Sequence, residues 1–286
     1  MVESFATSFL EQLIDIAAEA GTAISDVYHT EFQVSYKEDL SPLTLADQRS
    51  HAIILSRLSE LSPRFPVLSE EGKDIPYEER KEWEHFWLVD PLDGTKEFVK
   101  KNGEFTVNIA LIHGNKPVVG LIYIPEKRTY YFGAEGLGAY KLVSDNTPLP
   151  GLFYGDLLKK ARRLSSAKKT QDGRPVTIIG SRSHASKEFE EFIKVMKQKY
   201  PDVAILSAGS SLKFCLVAEG AADIYPRFGP TMEWDTAAGQ CIVEESGGVV
   251  VDMSRKRFTY NKESLLNSNF VVTCSESLLD LLPVIE

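Results

Sequence analysis

Three cysteines in 286 residues (Cys215, Cys241 and Cys274) are too few and too scattered for a disulfide framework, and no C-x-x-C pair offers a structural zinc site. That usage fits a reducing compartment. No apolar run reaches the roughly 20 residues needed to span a bilayer. The opening Met1-Val2-Glu3-Ser4 is acidic and lacks the basic-then-apolar plan of a secretory leader, so a cytoplasmic location is expected. Positive charge is also short, with 32 Lys and Arg against 41 Asp and Glu and a net charge of −9. Wholesale binding to a nucleic acid polymer or to anionic lipid is thereby disfavoured, although a local basic pocket is still allowed. Repeats and low-complexity tracts are absent. What is present is 43% hydrophobic and 26% charged, a globular composition long enough for one large domain or two ordinary ones.

The chain is organised around Trp87-Leu88-Val89-Asp90-Pro91-Leu92-Asp93-Gly94-Thr95. Phe86 to Val89 reads as a buried strand, expected to end at Asp90 because Pro91 has no N–H to donate. Gly94 permits a sharp turn, and Thr95 begins a helix whose free N–H groups suit an anion. Two carboxylates beside such a seat suggest metal-assisted phosphoryl chemistry; an Asp-rich turn with a capped helix is the plain alternative.

Before this stretch, residues 3–29 read as an amphipathic helix, with Phe5, Phe9, Leu13, Ala17, Gly21, Ile24 and Tyr28 recurring at threes and fours. Thr44 is the expected N-cap of a helix to Leu61, with Asp47 in its first turn, where a dipole partner is the structural alternative to a catalytic role. Pro66 to Ser69 reads as a strand ending in Glu70 and Glu71, of which one should face any site and one should face away.

After it, runs at Phe105–Ile112, Val118–Ile124, Thr129–Phe132 and Gly138–Leu142, joined by short turns, imply an antiparallel meander. Pro148, Pro150 and Gly151 begin a junction that also carries the basic residues of 159–169. Beyond it strands and helices alternate, as expected for helices packed on a sheet. We therefore expect an α+β domain over residues 1–153 and an α/β domain over 154–286.

Asp47, Glu70, Asp90, Asp93 and Asp235 all end strands or begin helices, and a shared site would explain that placement. With no histidine beside any of them, an all-oxygen ligand set suits magnesium better than zinc. Two such ions about 3.5–4 Å apart activate water and stabilise a leaving oxygen.

Ser69-Glu70-Glu71, Asp90-Pro91-Leu92-Asp93-Gly94-Thr95 and Trp234-Asp235-Thr236-Ala237-Ala238-Gly239, in this order and spacing, resemble the inositol monophosphatase superfamily. The runs from Asp93 to Phe98, Asn102 to Ala110, Gly209 to Cys215 and Tyr225 to Pro230 are most similar to its bacterial 3′(2′),5′-bisphosphate nucleotidases. The resemblance spans about Ser41 to Phe270, with Leu149 to Gly173 matching least.

It implies an αβαβα sandwich and removal of the 3′-phosphate of adenosine 3′,5′-bisphosphate, a by-product of sulfate assimilation. It also implies lithium sensitivity and two Mg2+ ions, with a third near Glu70 common in the family. Glu70, Asp90 and the Leu92 carbonyl would hold one ion; Asp90, Asp93 and Asp235 the other. Asp47 paired with Thr95 would help to deprotonate the attacking water, with Glu70 on the opposite side. Gly94 and Thr95 would receive the scissile phosphate. Ser181, His184, Ser210, Lys213, Arg227 and Asp235 would contact the nucleotide, with Lys213 and Arg227 suited to a second phosphate. Lys213 snorkelling to solvent, His184 as a surface residue and Trp234 in the core are the plain alternatives. Relatives are often monomeric, so a monomer is expected, and some associate peripherally with the inner membrane. The competing functions are hydrolysis of inositol monophosphate or fructose 1,6-bisphosphate at the same metal site, and a non-catalytic metal- or nucleotide-binding regulator.

Overall fold

The computed structural model describes residues 2–36, 42–144, 154–166, 175–182, 186–200 and 202–282. Helix α1 (Val2–Tyr28) is followed by the hairpin strands β1 (Val34–Tyr36) and β2 (Pro42–Thr44), then by α2 (Leu45–Glu60). Strand β3 (Val67–Ser69), the short α3 (Tyr77–Arg80), β4 (His85–Asp93) and the short α4 (Thr95–Val99) come next. The meander is β5 (Thr106–His113), β6 (Lys116–Ile124), β7 (Thr129–Ala134) and β8 (Gly138–Val143). Helix α5 (Tyr154–Lys160) and β9 (Arg162–Arg163) occupy part of the junction, where the sequence predicted only a connector. The remainder is β10 (Val176–Ser181), α6 (Lys187–Lys199), β11 (Val203–Ala208), α7 (Leu212–Ala218), β12 (Ile224–Arg227), α8 (Glu233–Glu245), β13 (Val249–Asp252) and β14 (Phe270–Thr273), ending in a 3₁₀ turn over Glu276–Leu281.

Seven strands, β3 through β9, form one sheet in sequence order; β3 pairs with β4 in parallel and every later pair is antiparallel. Both faces of this sheet are covered, so its strands read as near-continuous apolar runs rather than alternations. Trp87, Val89, Val107, Ile109 and Leu111 pack beneath α1 and α2. Phe86, Leu88, Ala110 and Ile112 point the other way, into the core shared with α7, α8 and the second sheet. Each such fully buried side chain contributes about 1.5–3 kcal/mol of transfer free energy. Helix α8 lies directly on the sheet at Gly120, where a Cβ would stand 2.6 Å from the Ala238 carbonyl; only glycine allows that approach.

The second sheet has the order β11-β10-β12-β14-β13, parallel on the β11–β10–β12 side and antiparallel beyond. Successive residues of β10 face opposite sides, and Phe189 of α6 packs against Gly180 while Ser181 faces a cleft. Helix α6 therefore forms an outer layer and α7 and α8 the inner one. The architecture is the layered αβαβα sandwich.

One feature of β4 differs from expectation. The strand does not stop at Asp90 but runs on to Asp93, with a shift of register. Asp90 pairs with Asn108 and Asp93 with Thr106, so two residues of β4, Pro91 and Leu92, oppose the single Val107. This is a β-bulge, and it absorbs the proline that a regular ladder would exclude. Residues three apart in a regular strand face opposite ways; the extra residue reverses that parity and turns both aspartates toward one side. Ser50 of α2 fixes the bulge by donating to the Pro91 carbonyl at 2.7 Å.

Candidate active site

A cleft of about 440 Å³ opens where the bulge, α4, the β11–α7 turn and the start of α8 converge. Its lining includes Glu70, Asp90, Leu92, Asp93, Gly94, Thr95, Ser181, Ser210, Lys213, Arg227 and Asp235, all expected from the sequence. His184 lies outside the described residues. Trp234 is half-buried against the core, as its plain alternative held, and does not line the cleft.

Carboxylate oxygens of Glu70, Asp90 and Asp235 lie within 4.8 Å of one another. Burial pushes the Asp90 carboxyl far above its ordinary range, and repulsion from Glu70, Asp93 and Asp235 adds to it. Asp235 is raised for the same reasons, by burial first and then by Asp93 and Glu70. Such a group of acids is poorly satisfied alone and is well matched to a cation with oxygen preference. Glu71, the neighbour of Glu70, does not line the cleft, so only one of the adjacent pair faces the site.

Two of these acids are aimed by the same local device. Thr44 caps α2, and Asp47 at the third helical position reaches back, its Oδ2 accepting from the Thr44 N–H at 2.8 Å and the Thr44 hydroxyl at 2.6 Å. Asp235, at the third position of α8, accepts from the Met232 N–H at 2.8 Å. Each uses one carboxylate oxygen to close a helix start and leaves the other available. At Asp47 the second oxygen accepts from the Thr95 hydroxyl at 3.2 Å. Capping and contact with Thr95 are thus simultaneous. Burial raises the Asp47 carboxyl, opposed by its bonds from Thr44.

Gly94 has φ of +90°, a backbone that β-carbon-bearing residues avoid, and its turn passes close to Ser210 and the Glu104 carbonyl. Asp93 is held from the β11–α7 turn: Ser211 donates to its Oδ2 through its N–H at 2.6 Å and its hydroxyl at 2.5 Å. Asn108 Nδ2 donates to the Ser211 hydroxyl oxygen at 2.6 Å, and Thr106 donates to Asn108 Oδ1 at 3.0 Å. Thr106, Asn108 and Ser211 are all buried. Sequence reasoning gave none of these three a role; the available signal was polar residues in an otherwise apolar strand.

Lys213 does not snorkel to solvent. It is 4% exposed, and its ammonium donates to the Ser210 carbonyl at 2.6 Å. A seven-residue helix packed into the core leaves no route outward, so the side chain ends in the cleft. Burial lowers its pKa to about 8, Asp93 opposing and Arg227 adding to the effect. Arg227 donates to the Pro230 carbonyl at 2.9 Å, and its buried Nε has no partner among the described residues.

Of the basic junction residues, Lys159 pairs with Asp156 and Arg162 with Glu219, and 167–174 lie outside the described residues. Among the described residues no helix is long and apolar enough to cross a membrane.

A family model described as the inositol monophosphatase family matches residues 6–282. The chain is 45% identical over 267 residues to the 3′(2′),5′-bisphosphate nucleotidase CysQ of Salmonella typhimurium, covering 92% of this chain and 99% of that one. It is 43% identical to the enzyme of the same name from Escherichia coli K12, at the same coverage of 92% and 99%. Among solved structures, CysQ from Bacteroides thetaiotaomicron, described as a bacterial member of the inositol monophosphatase family, superposes with a TM-score of 0.83 at 45% identity, covering 93% of this chain and 97% of that one. The extragenic suppressor protein suhB of Bartonella henselae superposes with a TM-score of 0.73 at 25% identity and 95% of each chain.

Proposed function

Since the chain belongs to the inositol monophosphatase family, we propose that it is a magnesium-dependent 3′(2′),5′-bisphosphate nucleotidase that cleaves the 3′-phosphate of adenosine 3′,5′-bisphosphate to leave AMP. The observation that carries this reading is a single cleft holding both the acid cluster and two inward cations, Lys213 and Arg227. An inositol monophosphate has one phosphate and needs no second cationic seat. A nucleoside bisphosphate has two. The likeness to CysQ enzymes at 43–45% identity over nearly their whole length supports the same substrate class.

The donor set fits magnesium: hard carboxylate oxygens, crowded and mutually repelling, with no nitrogen or sulfur among them. Glu70, Asp90 and the Leu92 carbonyl would hold one ion, and Asp90, Asp93 and Asp235 a second. Magnesium bound there supplies Lewis-acid polarisation of the phosphoryl oxygens and eases ionisation of the attacking water. The chain supplies the rest. Thr95 passes a proton toward Asp47 Oδ1, whose other oxygen is already committed to the α2 cap. Glu70 assists from the other side of the water. The N–H groups of Gly94 and Thr95 orient the scissile phosphate. Lys213 and Arg227 bind the remaining phosphate with charge-assisted hydrogen bonds. Ser181, Ser210 and the open side of Asp235 contact the nucleoside, with His184 assigned there by the resemblance. We further propose that lithium inhibits turnover and that the enzyme acts as a cytoplasmic monomer.

Phosphate release should be measured on adenosine 3′,5′-bisphosphate, inositol monophosphate and fructose 1,6-bisphosphate, with and without Mg2+. The bisphosphonucleoside is expected to be preferred and hydrolysis to require the metal. Higher kcat/KM on inositol monophosphate would overturn the substrate assignment, and equal turnover in chelator would overturn the metal assignment.

A further inference from the structure

We propose that Glu84, His85 and His113 form a second metal site, for a divalent ion of the zinc class, at the end of the first sheet away from the cleft. One ligand atom from each of the three side chains lies within 4.8 Å of the other two. The ladder explains why. Strand β4 meets β5 with His85 directly opposite His113. The Gly114 N–H donates to the Glu84 carbonyl at 2.7 Å, which marks 84 and 114 as a hydrogen-bonded pair. Pairs alternate along an antiparallel ladder, so His85 and His113 are a non-hydrogen-bonded pair, the type with Cα atoms only about 4.5 Å apart and side chains closest.

The two imidazoles stack with centroids 4.3 Å apart and planes 5° from parallel. Phe65 also stacks on His85, with centroids 5.0 Å apart, and steadies that ring. Glu84 Oε1 stands 3.6 Å from His113 Nε2, bringing a carboxylate to the open edge of the stack. His113 is half-exposed, so the edge of its ring is open to solvent.

Two imidazoles and one carboxylate suit zinc, nickel or copper, in contrast to the all-oxygen cleft, and solvent can fill the remaining positions. Asp90 lies five positions along β4 from His85, about 17 Å of extended strand at roughly 3.4 Å per residue. The ion would clamp β4 to β5 at one end, on the strand that carries Asp90 and Asp93 at the other.

The test is equilibrium dialysis and thermal melting with zinc chloride in saturating Mg2+. It compares the unaltered protein with His113→Phe, which keeps an aromatic partner for His85 and removes the nitrogen donor. The unaltered chain should bind one more zinc than His113→Phe, and zinc should raise its melting temperature but not that of the variant. Asp90→Asn should keep that extra equivalent, separating it from the cleft. Equal zinc stoichiometry and equal melting shifts in the unaltered protein and His113→Phe would overturn the site. If His113→Phe does not fold, the exposed Glu84→Gln serves instead: about tenfold weaker zinc binding is expected, and unchanged affinity overturns the proposal.

Discussion

Ser211 grips Asp93 from 118 residues away, its N–H donating to Oδ2 at 2.6 Å and its hydroxyl to the same atom at 2.5 Å. One carboxylate oxygen is thus fixed by the start of α7 and the other is left for the cleft. Ser211→Ala removes the hydroxyl bond and strands Asn108 Nδ2, which donates to it. Hydrogen bonds to charged groups are worth about 1.5–3 kcal/mol. We expect the Mg2+ concentration for half-maximal activity to rise by roughly tenfold to a hundredfold. A magnesium titration of activity checks this, and an unchanged midpoint would remove Ser211 from the metal site.

Asp47→Asn separates two roles that share one side chain. An asparagine can still close the helix start, so stability should change by no more than about 1 kcal/mol. General-base assistance through Thr95 would be lost, cutting kcat by about 10²–10⁴-fold with KM little altered. Turnover, KM and melting temperature should be measured together. Normal turnover with a lowered melting temperature would leave Asp47 as a cap alone.

Asp90→Asn should abolish turnover and, in chelator, raise the melting temperature. The buried carboxyl faces repulsion from Glu70, Asp93 and Asp235, and a neutral amide relieves it. Each 1 kcal/mol of relief corresponds to about 2–4 °C for a domain near this size. The same substitution should cancel the stabilisation that Mg2+ gives the unaltered protein. A variant that melts lower in chelator would show that Asp90 supports the fold rather than straining it.

Lys213 sets an alkaline limit. Its pKa is lowered to about 8, so in the free enzyme the ammonium is present below that value and lost as pH rises through it. If it binds the second phosphate, kcat/KM for the bisphosphonucleoside should fall above pH 8, because that ratio reports the free enzyme. Lys213→Met should lower kcat/KM by roughly tenfold to a hundredfold, the equivalent of one charged hydrogen bond, and remove the alkaline limb. A limb that persists in the variant belongs to another group.

Much of this protein is determined locally and could be read without coordinates. The meander follows from short turns between apolar runs, and the helices from their spacing and caps. Thr44 and Asp47 form the cap their spacing implies. These are nearest-neighbour effects: propensity, capping and side-chain periodicity act within a few residues.

Tertiary structure decided the rest. The parity of Asp90 and Asp93 depends on a bulge that exists only because β4 pairs with β5, so a lone strand carrying a proline could be read only as ending. The grip of Ser211 on Asp93 joins the start of α7 to β4, and the burial of Lys213 depends on what surrounds α7 rather than on α7 itself. His85 and His113 become partners only through strand register. In each case the outcome depends on groups distant in sequence being brought together, which local pattern does not encode.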